Sequence, residues 1–222
     1  MQNSDHSMKA MLRALPSLKG PFPLVEMDAL PDTPHQAFRQ WLDDAITENV
    51  KEPHAMTVST VDDLGYPDAR VVILKNVDER GWHFAITAAS AKGQQIAGNS
   101  HVALSFYWPQ LGRQIRLRGK AVELPDAECA QDFQARPIGS KTAAVASKQS
   151  QVLQNPDELT ESLAKAREFL EANPDYVKPE WRVLAVDPDA AEFWQGSTDR
   201  LHKRLQYIRS EDGKWEKLRL WP

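Results

Sequence analysis

Cysteine is almost absent: Cys129 stands alone in 222 residues. A single thiol makes no intrachain disulfide and no multi-cysteine zinc site, which fits a reducing compartment. Long apolar runs are missing too. The most apolar stretches, such as Val71–Leu74, last a few residues, against the ~20 that a helical membrane span needs. Nothing near the polar start Met1–Met8 resembles the apolar core of a secretory signal. Nor is there an excess of positive charge. Lys and Arg number 27 against 31 Asp and Glu, a net −4; this argues against coating nucleic acid as the main task. The common catalytic signatures are also lacking: P-loop, dinucleotide fingerprint, nucleophile elbow and paired-histidine metal helix. Cys129 falls in a helical stretch with no evident histidine partner and reads as a partly buried thiol.

What remains is ordinary for a soluble globular chain. Hydrophobic residues at 41% are too many for disorder. The length allows a full core without metal or disulfide staples. These properties predict a cytoplasmic enzyme or binding protein, with neither membrane nor nucleic acid as partner.

Residues 1–32 read as an irregular and flexible N-terminal arm, punctuated by Pro16, Pro21, Pro23 and Pro31. Order is predicted from Thr33. Thr33-Pro34-His35-Gln36 has the form of a capping box with proline at the first helical position. Behind it Phe38, Trp41, Leu42, Ala45 and Ile46 recur on one helical face, ending near Asn49. Short β-branched and aromatic runs follow at 54–62, 68–77 and 81–87, divided by turn signals. A helix over 90–97 interrupts, then strands over 101–108 and 113–124. A helical insert spans 125–172. Strands resume at 181–186, 191–195, 204–209 and 214–220. The predicted fold of 33–222 is mainly β with flanking helices, an antiparallel Greek-key barrel that removes its own edges.

Four local features stand out. Arg70, Val71, Val72, Ile73, Leu74 and Lys75 form an apolar strand with a cation at each end. This is either a buried strand with solvated ends or a pair of cations facing an anion. Thr87–Lys92 is a hydroxyl-rich loop opening a helix, either plain capping by Ser90 or a phosphate cradle. Ser147-Lys148-Gln149-Ser150 is a polar tetrad, by itself a surface turn. Last, Glu192-Phe193-Trp194-Gln195 enters a polar turn where Arg200, His202 and Arg204 alternate. If extended, these three share one face and ask for an anion beside Trp194.

Together, in this order and spacing, the four pieces resemble the pyridoxamine 5′-phosphate oxidase family of flavin enzymes. The likeness runs from about Pro53 to Pro222 and is strongest over Glu192–Arg204 and the closing Arg219-Leu220-Trp221-Pro222. It implies an FMN-binding split barrel and a homodimer with a cleft at each side of the interface. The implied reaction takes hydride from the C4′ carbon of pyridoxine or pyridoxamine phosphate onto flavin N5. Dioxygen then reoxidises the flavin, giving hydrogen peroxide and pyridoxal 5′-phosphate.

The resemblance carries FMN contacts onto Arg70, Val71, Val72, Ile73, Leu74, Lys75, Ala85, Ile86, Lys92, Gln114, Gln149, Ser150, Trp194 and Arg204. It carries substrate contacts onto Lys75, Asp132, Arg136, Ser140, Arg200 and His202, with Arg200 and His202 over the reacting carbon. Arg70 and Lys92 suit the cofactor phosphate, where charge-assisted bonds are strong.

Two positions depart from the family pattern. Ala91 stands where an arginine usually precedes the lysine of the phosphate loop. Asp132 stands where a tyrosine usually helps hold the substrate phosphate. Two like charges about 4 Å apart cost roughly 4 kcal/mol at an effective dielectric of 20. Asp132 therefore either turns away to pair with a neighbouring arginine or faces a substrate without phosphate at that point. That second option keeps open a phenazine-type flavin oxidase that aromatises a reduced tricycle. A third reading is an FMN- or pyridoxal-phosphate-binding protein without turnover.

Overall fold

The computed structural model describes residues 7–222. The first six residues of the proposed arm lie outside the described residues. Helix α1 (Met8–Ala14) is followed by a 3-10 turn, Met27–Ala29, and by α2 (Pro34–Thr47). Strands β1 (Ala55–Val61), β2 (Pro67–Asp78) and β3 (Gly81–Thr87) come next, then α3 (Ala91–Gly98). Strands β4 (His101–Trp108) and β5 (Arg113–Glu123) precede three helices: α4 (Asp126–Gln134), α5 (Ile138–Ala146) and α6 (Pro156–Ala172). The chain closes with β6 (Trp181–Gln195), β7 (Lys203–Arg209) and β8 (Trp215–Arg219).

All pairings are antiparallel. The sheet order is β3-β2-β1-β4-β5-β6-β7-β8, and β3 also pairs with β6. That extra pairing closes six strands into a barrel, while β7 and β8 extend from it. The barrel is possible because β6 serves two partners in turn. Trp181–Val186 pairs with β3, and Ala190–Gln195 pairs with β7. The sequence predicts two strands here, over 181–186 and 191–195; the structure has one, with a register shift opposite Arg118 and Gly119. A Cβ at Gly119 would collide with the Asp187 carbonyl, so glycine permits this close approach.

The core is aromatic. Helix α2 is capped by Thr33, whose hydroxyl accepts the Gln36 N–H at 3.4 Å. Its apolar face plugs the barrel. Phe38 meets Phe106 at 4.8 Å and Trp82 at 5.5 Å, and Trp41 meets Phe193 at 5.1 Å. Truncating either plug residue to alanine costs roughly 3–5 kcal/mol by the usual core rule. Strand β5 alternates as its sequence predicts, with Ile115, Leu117 and Ala121 inside. Arg113 is also inside, stacked 4.6 Å over Trp41 and paired with Asp44 at 2.7 Å.

The arm is not irregular throughout, since it carries the short helix α1, and its second half is docked. Val25, Met27 and Leu30 are buried in the main core. The Tyr207 hydroxyl donates to the Pro31 carbonyl at 2.7 Å, and Lys203 donates to the Val25 carbonyl at 2.7 Å. The expectation of a free arm is corrected for this second half: prolines remove helix and strand pattern without removing apolar side chains. Among the described residues, no helix is long and apolar enough to cross a membrane. Cys129 is buried, and its sulfur accepts the Val183 N–H at 3.2 Å.

Candidate functional site

A cavity of about 810 Å³ opens between β2, β3, the start of α3, α5 with the loops on either side of it, and Trp181 of β6. That volume suits a cofactor-sized ligand. Arg70, Val71, Val72, Ile73 and Lys75 of β2 all contribute to its wall, as do Ala85 and Ile86 of β3. Leu74 is the exception within that run: its side chain is buried in the core. Lys92, Arg136, Ser140, Gln149 and Ser150 complete the predicted residues that the fold gathers here. Positions from four separate stretches of sequence thus meet in one cavity.

One end of the cavity is the start of α3. The Ser90 hydroxyl caps this helix, accepting the Gly93 N–H at 3.3 Å, and it donates to the Thr87 carbonyl at 2.6 Å. A side chain at Gly93 would collide with the Ala88 carbonyl, so the tight loop requires glycine. Ala91 presents only its backbone N–H, which donates to Ser150 Oγ at 3.2 Å. Lys92 Nζ donates to Gln149 Oε1 at 3.1 Å. Burial, and then the charge of Arg70, pulls the Lys92 amine below the ordinary lysine range. Arg70 is held by Thr60 at 2.5 Å and Gln95 at 3.0 Å, and it forms an ion pair with Asp68.

The other end lies where α4 meets α5. The Arg136 guanidinium sits 4.2 Å over the Trp181 ring and donates to the Ser140 carbonyl at 3.1 Å. Its Nε is buried without a partner. Burial lowers the Arg136 pKa, and Asp132 opposes that shift. Asp132 does not pair with an arginine, as the sequence suggested. It forms an ion pair with Lys75 at 3.1 Å and accepts the Trp181 Nε1–H at 2.9 Å. A β-bulge at Lys75 interrupts the β2–β3 ladder here.

Two of the four cavity cations therefore carry a carboxylate, Arg70 with Asp68 and Lys75 with Asp132. Lys92 and Arg136 form no ion pair among the described residues, although the Asp132 charge is felt by Arg136. An uncompensated, half-buried cation favours an anionic ligand. The cavity has one such cation at each end.

A second cluster lies on β5, β6 and β7. Gln114, Trp194 and Arg204 are directly opposite one another across the three strands. Arg204 is fixed by Glu192 at 2.9 Å and by the Trp221 carbonyl at 2.9 Å. Glu192 also binds Arg116 at 2.5 Å. Burial alone would raise the Glu192 carboxyl, but the bonds from Arg204 and Arg116 hold it below the usual carboxylate range. The His202 ring lies 4.9 Å from Trp194, and its Nδ1 accepts the Ser197 N–H at 3.1 Å. With Nδ1 accepting, the neutral ring carries its proton on Nε2.

The predicted alternation of Arg200, His202 and Arg204 is corrected. Strand β7 begins at Lys203, so Arg200 and His202 sit on the preceding turn. Arg200 takes a left-handed φ of 68°, and its carbonyl accepts the His202 N–H at 2.9 Å. Its guanidinium donates to Ser17 of the arm at 3.2 Å. None of Gln114, Trp194, Arg200, His202 and Arg204 lines the cavity of the same chain.

Several contributing residues escape sequence reasoning. Thr60, Asp68 and Gln95 hold Arg70 from three elements. Trp181 builds the Arg136 end, hidden behind a proline linker. Glu192 lies within the aromatic run, but only the sheet register shows that it clamps Arg204. The one local signal was Asp68, two residues before Arg70 on the same strand.

Comparison with known proteins identifies the family. The family model described as pyridoxamine 5′-phosphate oxidase matches residues 42–195. A second, the pyridoxine 5′-phosphate oxidase C-terminal dimerisation region, matches residues 181–222. The chain is 44% identical to a pyridoxine/pyridoxamine 5′-phosphate oxidase of Pseudomonas paraeruginosa, over 86% of this chain and 90% of the relative. It is 43% identical to pyridoxine/pyridoxamine 5′-phosphate oxidase 1 of Ralstonia nicotianae, over 85% and 89%. Among solved structures, PhzG from Burkholderia lata, in complex with tetrahydrophenazine-1-carboxylic acid, has a TM-score of 0.86 at 28% identity, covering 91% of this chain and 100% of that one. An FMN-binding protein from Nostoc punctiforme has a TM-score of 0.71 at 16% identity, covering 86% and 98%, a likeness of fold.

Proposed function

This chain belongs to the pyridoxamine 5′-phosphate oxidase family, and from that premise we propose that it oxidises pyridoxine and pyridoxamine 5′-phosphates to pyridoxal 5′-phosphate, with FMN as cofactor, dioxygen as acceptor and hydrogen peroxide as product. The observation that carries this reading is the cavity with an uncompensated cation at each end. Both the cofactor and the substrate are phosphate esters with a flat ring, and two such anions match two such cations.

The α3 end fits the cofactor phosphate. Lys92 and Arg70 supply charge, Ser150 a hydroxyl, and the helix start its N–H groups. Gln149 reaches the same place through Lys92. Ala91 removes one side-chain partner, and Arg70 beside Lys92 is the cation that remains. The flat walls offered by Val71, Val72, Ile73, Ala85 and Ile86 suit a ring. The Arg136–Ser140 end suits the substrate phosphate. When bound, FMN supplies the hydride acceptor and its reoxidation by dioxygen.

In this reading, the second cluster completes the site from a second copy of the chain. Gln114, Trp194 and Arg204 would face the flavin, with Arg200 and His202 over the substrate ring. Arg200 would place positive charge beside the ring, and the Nε2–H of His202 would hold a substituent of the reacting carbon. The matched dimerisation region over 181–222 includes four of these five residues and supports a homodimer.

The 28% likeness to PhzG keeps a tricyclic substrate as the second reading. Identities of 43–44% to the vitamin B6 enzymes favour the first. Oxygen uptake by the FMN-loaded protein decides between them. The expected result is peroxide formation with pyridoxine or pyridoxamine 5′-phosphate. Peroxide from a reduced phenazine alone selects the second reading, and none from any substrate leaves a binding protein without turnover.

A further inference from the structure

Resting on that reading, we infer that Asp132 is a specificity-determining residue: by holding Lys75 in an ion pair, it withdraws one of the two cations at the substrate-anion end and weakens the grip on a doubly charged phosphate. Three elements build the arrangement. Lys75 comes from β2, Asp132 from α4 and Trp181 from β6. The Trp181 Nε1–H at 2.9 Å fixes one carboxylate oxygen, and the Lys75 ammonium lies 3.1 Å from the other. The carboxylate cannot swing away without stripping the indole N–H of its partner in a nearly closed position.

Asp132 itself does not line the cavity, so an anion that approaches Lys75 there meets an ammonium already paired with a fixed carboxylate. It must share that charge or displace Asp132. Arg136 is different: its guanidinium is stacked on Trp181, and its Nε lacks any partner. The end then presents about one net positive charge rather than two. Such a site distinguishes poorly between a phosphorylated ring and one carrying a single negative charge. Asp132 acts by charge on ligand selection and takes no part in the hydride step.

Asp132→Asn tests this directly. The amide retains an oxygen acceptor for Trp181 and nearly the same shape, and it removes the charge. Binding of inorganic phosphate, pyridoxal 5′-phosphate and pyridoxal to FMN-loaded protein is measured by titration calorimetry. KM and kcat for pyridoxine 5′-phosphate are measured in parallel. The variant is expected to bind both phosphates about tenfold more tightly, a shift of about 1.4 kcal/mol, with pyridoxal unchanged. KM falls in step, while kcat stays within about twofold. Unchanged or weaker phosphate binding, with melting temperature and FMN content as in wild type, overturns the inference. Asp132→Ser repeats the comparison if the asparagine variant does not fold. If wild type oxidises no B6 phosphate, the functional reading falls, and the phosphate-binding contrast still decides the role of Asp132.

Discussion

The two clusters of candidate site residues are built in opposite ways. The cavity cluster is a depression between elements, where side chains from β2, α3, α5 and its flanking loops converge and two cations, Lys92 and Arg136, form no ion pair among the described residues. The strand cluster is a row across β5, β6 and β7, already satisfied: Arg204 is held by Glu192 and Trp221, and His202 by Ser197. One region waits for anions; the other is fixed without them. The row also lies outside the cavity of its own chain. A cavity open on one side and a rigid row outside it are complementary halves, and in the proposed dimer a second copy would bring them together.

Removing charge from the open half has the largest expected effect. Lys92→Ala deletes the uncompensated cation at the α3 end. A hydrogen bond between charged groups is worth ~1.5–3 kcal/mol, so FMN affinity should fall about tenfold to hundredfold. Fluorescence titration of the apoprotein with FMN measures this. The same variant should leave the melting temperature of the apoprotein unchanged or higher, because desolvation already disfavours the Lys92 charge.

The fixed half should respond in the reverse manner. Glu192→Gln weakens the clamp on Arg204 and Arg116. Both arginines reach solvent, so the loss of stability should be about 1–2 kcal/mol, below the full value for a buried pair. Flavin affinity should fall by less than in Lys92→Ala, by about fivefold, through a loosened Arg204. Chemical denaturation and flavin titration together read both effects. A larger flavin effect in Glu192→Gln than in Lys92→Ala would break the distinction between an open half and a fixed half.

Much of this was legible in the sequence where the signal was local. Alternation and turn residues located β3 and β4 to the residue, and the cap residues Thr33 and Ser90 set the starts of α2 and α3. The family pattern brought Arg70, Lys92, Arg136 and Ser150 to one cavity. What was hidden depended on contacts between distant segments. The division of β6 was misplaced because its two partners, β3 and β7, are visible only in the closed sheet. The second half of the arm reads as irregular, yet it is buried through Val25, Met27 and Leu30. Asp132 finds Lys75 rather than an arginine because the Lys75 side chain of β2 reaches α4, which packs on β6, a proximity that spacing does not reveal. The turn at Arg200 escaped a period-2 reading because a left-handed residue breaks the alternation.

The central claim, that each site joins the cavity of one chain to the strand row of another, has a direct test. Lys92→Ala and Arg200→Ala chains carry different tags and are combined into mixed dimers, which are isolated by both tags. Each parent homodimer should be nearly inactive with pyridoxine 5′-phosphate at limiting FMN. In the mixed dimer, one site receives both substitutions and the other receives neither. Recovery of about half the wild-type activity per dimer is the predicted result. Activity no higher than that of the parents would place Lys92 and Arg200 in the same chain's site and contradict the account.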